Sequence, residues 1–204
     1  MAHNSLQKRN QQTMKGHQIN MKLLAICFCM ALLIGCTSKS LSVRYYLLHT
    51  PEKNLSDNMN KEKPIVVLQL LDVAEYLRQT SLVMQVEQNQ LYYSRQDVWA
   101  ENLQTSFYQA LLQDLNATGQ RNYVALSAPE AIDATTSISV KLAHFHATDK
   151  SSVVSSGRYW LSATNALAEK NNKRGVASHT FFFESELKQD GYAQAVKQLR
   201  MLVT

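Results

Sequence analysis

Ile65-Val66-Val67-Leu68-Gln69-Leu70-Leu71-Asp72-Val73 is a nearly continuous apolar run. A strand buried on both faces reads this way, whereas a half-buried strand alternates apolar and polar residues. Residues 136–142 are of the second kind, with Ile138, Val140 and Leu142 on one face and Ser137, Ser139 and Lys141 on the other. Between the two, residues 98–115 place Trp99, Leu103, Phe107 and Leu111 at i+4 spacing, with Ala100 and Ala110 beside them. That is the apolar stripe of a helix. Ser94 or Asp97 is placed to cap its start, and Gly119 to end it. Tyr192, Ala195, Val196, Leu199 and Val203 give a second, closing helix. The expected fold is α/β: a single sandwich domain, a mixed β-sheet packed by two principal helices.

The remaining segments fit that plan. Residues 42–49 (SVRYYLLH) read as a first strand, followed by a polar loop over 51–63. Residues 81–87 and 91–94 read as a hairpin around Gln88-Asn89-Gln90, and 123–126 as a short strand. Ser127-Ala128-Pro129-Glu130 has capping-box spacing with proline near a first helical position, which predicts a brief helical turn. Residues 153–163 and 178–187 are further strands, joined by a polar loop over 169–175.

Upstream of all this the chain reads as an address. Residues 23–34 (LLAICFCMALLI) are twelve consecutive apolar residues after Lys22. Twelve is short of the roughly 20 that span a bilayer, but suits the apolar region of a signal peptide. The run ends in Leu33-Ile34-Gly35-Cys36, which looks like a bacterial lipobox. Such a signal implies cleavage before Cys36, diacylation of its thiol and acylation of the new amine. Three chains, at about 0.8 kcal/mol per buried methylene, anchor a protein permanently. Thr37 in place of an aspartate implies, by resemblance to Gram-negative lipoproteins, sorting to the outer membrane. The expected organisation is a signal peptide over 1–35, a lipidated cysteine and tether over 36–41, and one domain over 42–204. Met21-Lys22 reads as a usual signal-peptide start and the polar stretch 1–20 does not, so translation is expected to begin at Met21.

The formal net charge of +5 over 204 residues belongs mostly to that leader. Residues 1–35 hold four of the 21 basic residues and no acid, which leaves 17 basic against 16 acidic residues. A basic stripe able to neutralise nucleic-acid phosphates is not available, so no nucleic-acid partner is expected. The three cysteines are Cys27, Cys29 and Cys36. Downstream of Cys36 there is therefore no thiol for catalysis, zinc ligation or an internal disulfide.

Chemistry-bearing patterns are sparse. His144 and His146 form an H-x-H pair that shares one face of a strand, and two histidines can begin a metal site. The alternative functions are a periplasmic metal-dependent hydrolase built on that pair, or a structural lipoprotein without a transport partner. His49 and His179 are isolated. Asp72 with Glu75, and Glu184 with Glu186, are possible carboxylate pairs. Gly119, Gly157, Gly175 and Gly191 stand singly, so no phosphate-cradling glycine cluster exists downstream of Cys36. Lys170, Lys173 and Arg174 cluster in a loop that could touch lipid headgroups. No catalytic residue, cofactor or metal is expected.

From Cys36 nearly to Thr204 the chain resembles the ABC-type transport auxiliary lipoproteins, the PqiC-like membrane-integrity lipoproteins. The resemblance rests on the lipobox at Cys36, Tyr45-Tyr46-Leu47-Leu48, Val73-Ala74-Glu75-Tyr76-Leu77-Arg78, Trp99-Ala100-Glu101-Asn102-Leu103 and Val140-x-Leu142-x-x-Phe145, in that order. It implies a non-enzymatic lipoprotein on the periplasmic face of the outer membrane. Its partner would be an inner-membrane-anchored MCE-domain protein of the PqiB type, in a system that moves lipid or maintains membrane integrity. Homo-oligomers are also implied. Thr37–Leu41 would let the domain stand only about 17 Å off the membrane, at 3.3–3.6 Å per extended residue. Any inner-membrane partner must therefore extend to it. The expected partner-binding side chains are Tyr92, Tyr93 and Phe182, since alternation in Phe181-Phe182-Phe183 turns one face outward.

Overall fold

The computed structural model describes residues 42–49, 62–163 and 176–203. The leader, Cys36, the tether and the basic cluster Lys170, Lys173 and Arg174 lie outside the described residues. The described part carries eight strands, β1 (Arg44–Tyr46), β2 (Ile65–Val73), β3 (Ser81–Glu87), β4 (Gln90–Trp99), β5 (Asn122–Ala125), β6 (Thr136–Thr148), β7 (Ser152–Ala163) and β8 (Ala177–Glu186). Two helices accompany them, α1 (Leu103–Ala117) and α2 (Tyr192–Met201). Short 3-10 turns cover Glu75–Leu77 and Pro129–Asp133. The fold is the mixed α/β single domain that the sequence predicts.

The 13-residue β6 organises the sheet. Along one edge it pairs in parallel first with β2 and then, at Ala147 and Thr148, with β3. β5 extends the sheet beyond β2, in parallel, and β4 then β1 extend it beyond β3. Along its other edge β6 pairs antiparallel with β7, and β7 with β8.

The apolar run in β2 is buried on both faces. Val67 packs with Val124 and Ala134 against the Pro129–Asp133 turn. Leu68 and Val73 join the main core under the helices, with Leu142, Phe145, Phe107 and Leu199. The two helices are tied to each other by Arg200, whose Nη2 donates to Asp114 Oδ1 at 2.6 Å.

A bulge in β6 between Leu142 and His144 shifts the side-chain parity. Val140 and Leu142 face the core upstream of it, Phe145 and Ala147 downstream. The opposite face therefore receives His144 and His146. Gly157 lies opposite Leu142 at that point. A side chain there would collide with the Lys141 carbonyl oxygen and with the Phe181 ring, so the close pairing of β6 and β7 requires glycine.

Several boundaries differ from the sequence reading. The first strand is three residues long, and β6 runs beyond residue 142 through both histidines. The hairpin's second strand does not stop at Ser94. It bends there and continues to Trp99, which pairs with Tyr46. The helix consequently starts at Leu103, with Asn102 as its cap accepting from Gln104 N–H at 2.8 Å. Ser94 and Asp97 do not cap it. Ser94 Oγ accepts the Asp97 N–H at 2.9 Å, a local turn that competes with regular pairing and makes the bend. The Ser127–Glu130 pattern does produce a turn, with proline in its first positions, but without a side-chain cap.

Candidate functional site

The β6–β7–β8 arm presents a face on the side away from the helices, and the β6 bulge fills it. His144 pairs with Ser156 and Ser156 with Phe182, so these three side chains form one row across the strands. His146, Val154 and Glu184 form the next. Tyr76, delivered by the Glu75–Leu77 turn, lies against both imidazoles, with ring centroids 6.5 Å from His144 and 5.9 Å from His146. Its hydroxyl donates to the Ala143 carbonyl at 3.1 Å, the carbonyl that the bulge leaves free of regular pairing. Burial, followed by the nearby Tyr93, pushes the Tyr76 phenol well above its ordinary pKa.

The two histidines differ. His144 is exposed, and its Nδ1 lies 2.8 Å from Ser156 Oγ. His146 is buried, with Nδ1 3.0 Å from the Ala147 carbonyl oxygen, and the ring centroids are 5.7 Å apart. Burial, with a smaller contribution from His144, lowers the His146 pKa, although the carbonyl contact opposes this. A lowered base binds fewer protons folded than unfolded. Its contribution to stability is therefore complete above the unfolded value of about 6.5 and declines as pH falls from there toward the folded value. Thermal unfolding is expected to show a loss of stability beginning near pH 6.5 that is absent in His146→Phe. Indistinguishable pH profiles for the two proteins above about pH 5 would reject this.

Among the described residues there is no group of three or more His, Cys, Asp or Glu side chains placed to hold a metal. His144 and His146 meet each other and Tyr76, but no third ligand. Asp72, Glu75 and Glu184 of the carboxylate pairs are likewise engaged. Arg78 donates to Asp72 at 2.7 Å, lies 3.1 Å from Glu75, and by that hydrogen bond holds the Asp72 carboxyl below its usual range. Ser152 Oγ donates to Glu184 at 2.7 Å. His49 Nδ1 is 3.2 Å from Glu101, and His179 stacks on Tyr159 with centroids 5.0 Å apart.

The aromatics expected to bind partners fall into different settings. Phe182 is 66% exposed on β8, a strand that among the described residues pairs with β7 alone and is exposed along most of its length. Phe183 on its other face is 45% exposed, so alternation does not hide it. Tyr92 is 47% exposed, while Tyr93 packs against the core. The register runs Tyr92, Met84, Ala147, Val153, Ser185, which sets Tyr92 on the helix-covered face and Phe182 on the other. Tyr92 and Phe182 are thus not brought to one surface. Four strand spacings, about 19 Å, also separate their strands.

Sequence reasoning did not single out Tyr76 or Ser156 as site residues. The Val140-x-Leu142-x-x-Phe145 spacing carried the signal, because its step from two to three residues is the bulge that gathers them.

Comparison with known proteins gives a family and a fold. The family model described as the ABC-type transport auxiliary lipoprotein component matches residues 46–204. The structure is similar to the crystal structure of an uncharacterised protein, with a TM-score of 0.62 at 23% identity, covering 79% of this chain and 92% of that one. It is also similar to protein XCC0632 from Xanthomonas campestris, of the DUF330 family, with a TM-score of 0.55 at 11% identity over 69% of this chain and 77% of that one. Both share the fold. No curated protein matches the chain.

Proposed function

The chain belongs to the family of ABC-type transport auxiliary lipoproteins, and from that premise we propose that it is the outer-membrane subunit of an MCE-type intermembrane lipid transport system. Acylated Cys36 holds it in the periplasmic face of the outer membrane. The folded domain docks a periplasm-spanning, inner-membrane-anchored MCE protein of the PqiB type, alone or as a homo-oligomer, and so supports membrane integrity. The role is non-enzymatic.

The observation that carries the reading is the family match, which spans nearly the whole domain downstream of the proposed tether. The exposed edge of the sheet supports it. Among the described residues β8 has one backbone edge without a paired strand, and it carries the exposed Phe182, an arrangement suited to a protein partner.

Cys36→Ser tests the anchor. The variant should leave the outer-membrane fraction and lose co-purification with the MCE protein. Retention of both would sink the docking role as stated, and a mature N-terminus without lipid at another residue would sink the lipidation. A photoactivatable residue at Phe182 should yield an adduct with the MCE protein or with a second copy of the chain. Tyr92 and Tyr93 are to be labelled in parallel. No adduct from any of the three rejects these positions as the interface.

A further inference from the structure

Side chains leave β1 on two sides. Arg44 and Tyr46 turn to Asp97, and Leu48, just past the strand, is buried in the core. The residues between them turn outward. Val43 and Leu47 are exposed and Tyr45 is 69% exposed, so every second position over 43–47 carries a bare apolar or aromatic side chain. Arg44 lies among them, its side chain more than half exposed beside Asp97. Among the described residues β1 pairs with β4 alone.

Exposure does not by itself select this strip, because Ile132, in the Pro129–Asp133 turn, is 88% exposed. Position does. The turn packs beside β2 and β5, and β5 stands five strands along the sheet from β1. Val43 is the seventh residue after Cys36. With Cys36 acylated, the five tether residues keep Ser42 within about 17 Å of the membrane surface. A contact between the strip and the lipid is then an intramolecular event, favoured by the high effective concentration that a short tether gives.

We infer that Val43, Tyr45 and Leu47 seat the domain in the headgroup layer of the phospholipid leaflet that holds Cys36. Their chemistry suits that layer, which is about 5–8 Å deep and grades from apolar to wet. Tyr45 presents a ring to the apolar side and a hydroxyl to the wet side, the property that enriches tyrosine at membrane interfaces. Val43 and Leu47 add apolar area on either side of it, and the Arg44 guanidinium can meet a headgroup phosphate. A protein occupant is a poorer match. A stable interface takes about 20–30 residues on each side, and three side chains supply a small part of that. A protein here would also have to enter the gap of at most about 17 Å that the tether allows. The inference rests on the acylation of Cys36 in the proposed function and goes beyond it, by fixing which strand of the domain meets lipid.

The test uses the full lipoprotein, purified from membranes and returned to vesicles of phosphatidylethanolamine and phosphatidylglycerol. The vesicles carry a phosphatidylethanolamine with a diazirine near the carbonyl end of one acyl chain. Illumination should label residues 42–49 and leave residues 129–133 at background. Val43→Ser, Tyr45→Ser and Leu47→Ser together should bring the label on 42–49 down to that background, with the acyl chains at Cys36 still in place. Should this triple variant lose the wild-type circular dichroism spectrum, Tyr45→Ser alone should lose most of the label. Label on 42–49 no stronger than on 129–133 overturns the inference. Label unchanged in the folded variant also overturns it, because the tether alone then brings these residues to the lipid. So does a photoactivatable residue at Tyr45 that captures a second copy or another protein in place of lipid. The mass of the N-terminal peptide is read from the same sample. Acyl chains present without label on 42–49 remove the seat alone, whereas their absence removes the anchor and this inference with it.

Discussion

Phe145→Ala should destabilise the domain by about 3–5 kcal/mol, a large share of the roughly 5–15 kcal/mol that holds a domain folded. Phe145 is 2% exposed and stands edge-on to Phe107 of α1, with ring centroids 5.4 Å apart. On its other side lies Trp99 of β4, at 6.4 Å. One ring thus joins β6, the hairpin arm and the first helix. Removing it leaves a void that cannot close, because its neighbours are fixed by three different elements. Urea unfolding monitored by tryptophan fluorescence measures the effect. Phe145→Leu, which keeps most of the volume, should cost far less. A loss under about 1 kcal/mol for the alanine variant would show that the core repacks around the vacancy.

Asp97→Ala is the second large effect, expected at about 2 kcal/mol from the loss of hydrogen bonds to a buried carboxylate, the Arg44 left behind being exposed to water. Asp97 is 3% exposed. It accepts from Arg44 Nη2 at 2.9 Å, Tyr46 Oη at 2.8 Å and Ser94 Oγ at 3.3 Å, with Arg44 Nε 2.8 Å away. Burial raises its pKa, but the hydrogen bonds from Arg44 and Tyr46 and the guanidinium charge outweigh that and hold the carboxyl below its ordinary range. These bonds are the side-chain half of the attachment of β1, whose backbone pairing covers only three residues. The variant should therefore expose residues 42–49 to protease before global unfolding, and should show faster hydrogen exchange at Tyr45 and Tyr46. Wild-type protection there would mean that the backbone pairing suffices.

Elements whose pattern has one dominant cause were legible in the sequence. β2 was readable because both of its faces are buried, α2 because its apolar stripe runs without interruption, and β7 and β8 because valine, threonine and aromatic residues are concentrated in them. The start of α1 was not. Trp99 sits at helical spacing from Leu103, Phe107 and Leu111, yet it is buried as the last residue of a strand, and apolar spacing alone does not separate the two. Ser94 and Asp97 misled for a related reason. The residue types that cap helices also make turns inside strands, and here the partner that decides, Arg44, lies 53 residues upstream. The histidine face was half legible. Period-two spacing correctly set His144 and His146 together, but Tyr76 and Ser156 reach them through a bulge and a strand pairing that only the assembled sheet supplies.

The order of strands along the chain also sets when the domain can form. β2 lies between β5 and β6, and its first residues pair with Asn122 and Thr136, which follow 57 and 70 positions later. β1 likewise waits for Asp97. β2 cannot find its place until more than half of the domain has been made, and β1 waits for about a third of it, whereas the antiparallel arm of β6, β7 and β8 joins partners near in sequence. Such non-local pairing places folding in the slow range of milliseconds to seconds. For that interval the most apolar strand of the protein has no neighbour, and its protection falls to whatever escorts the nascent chain.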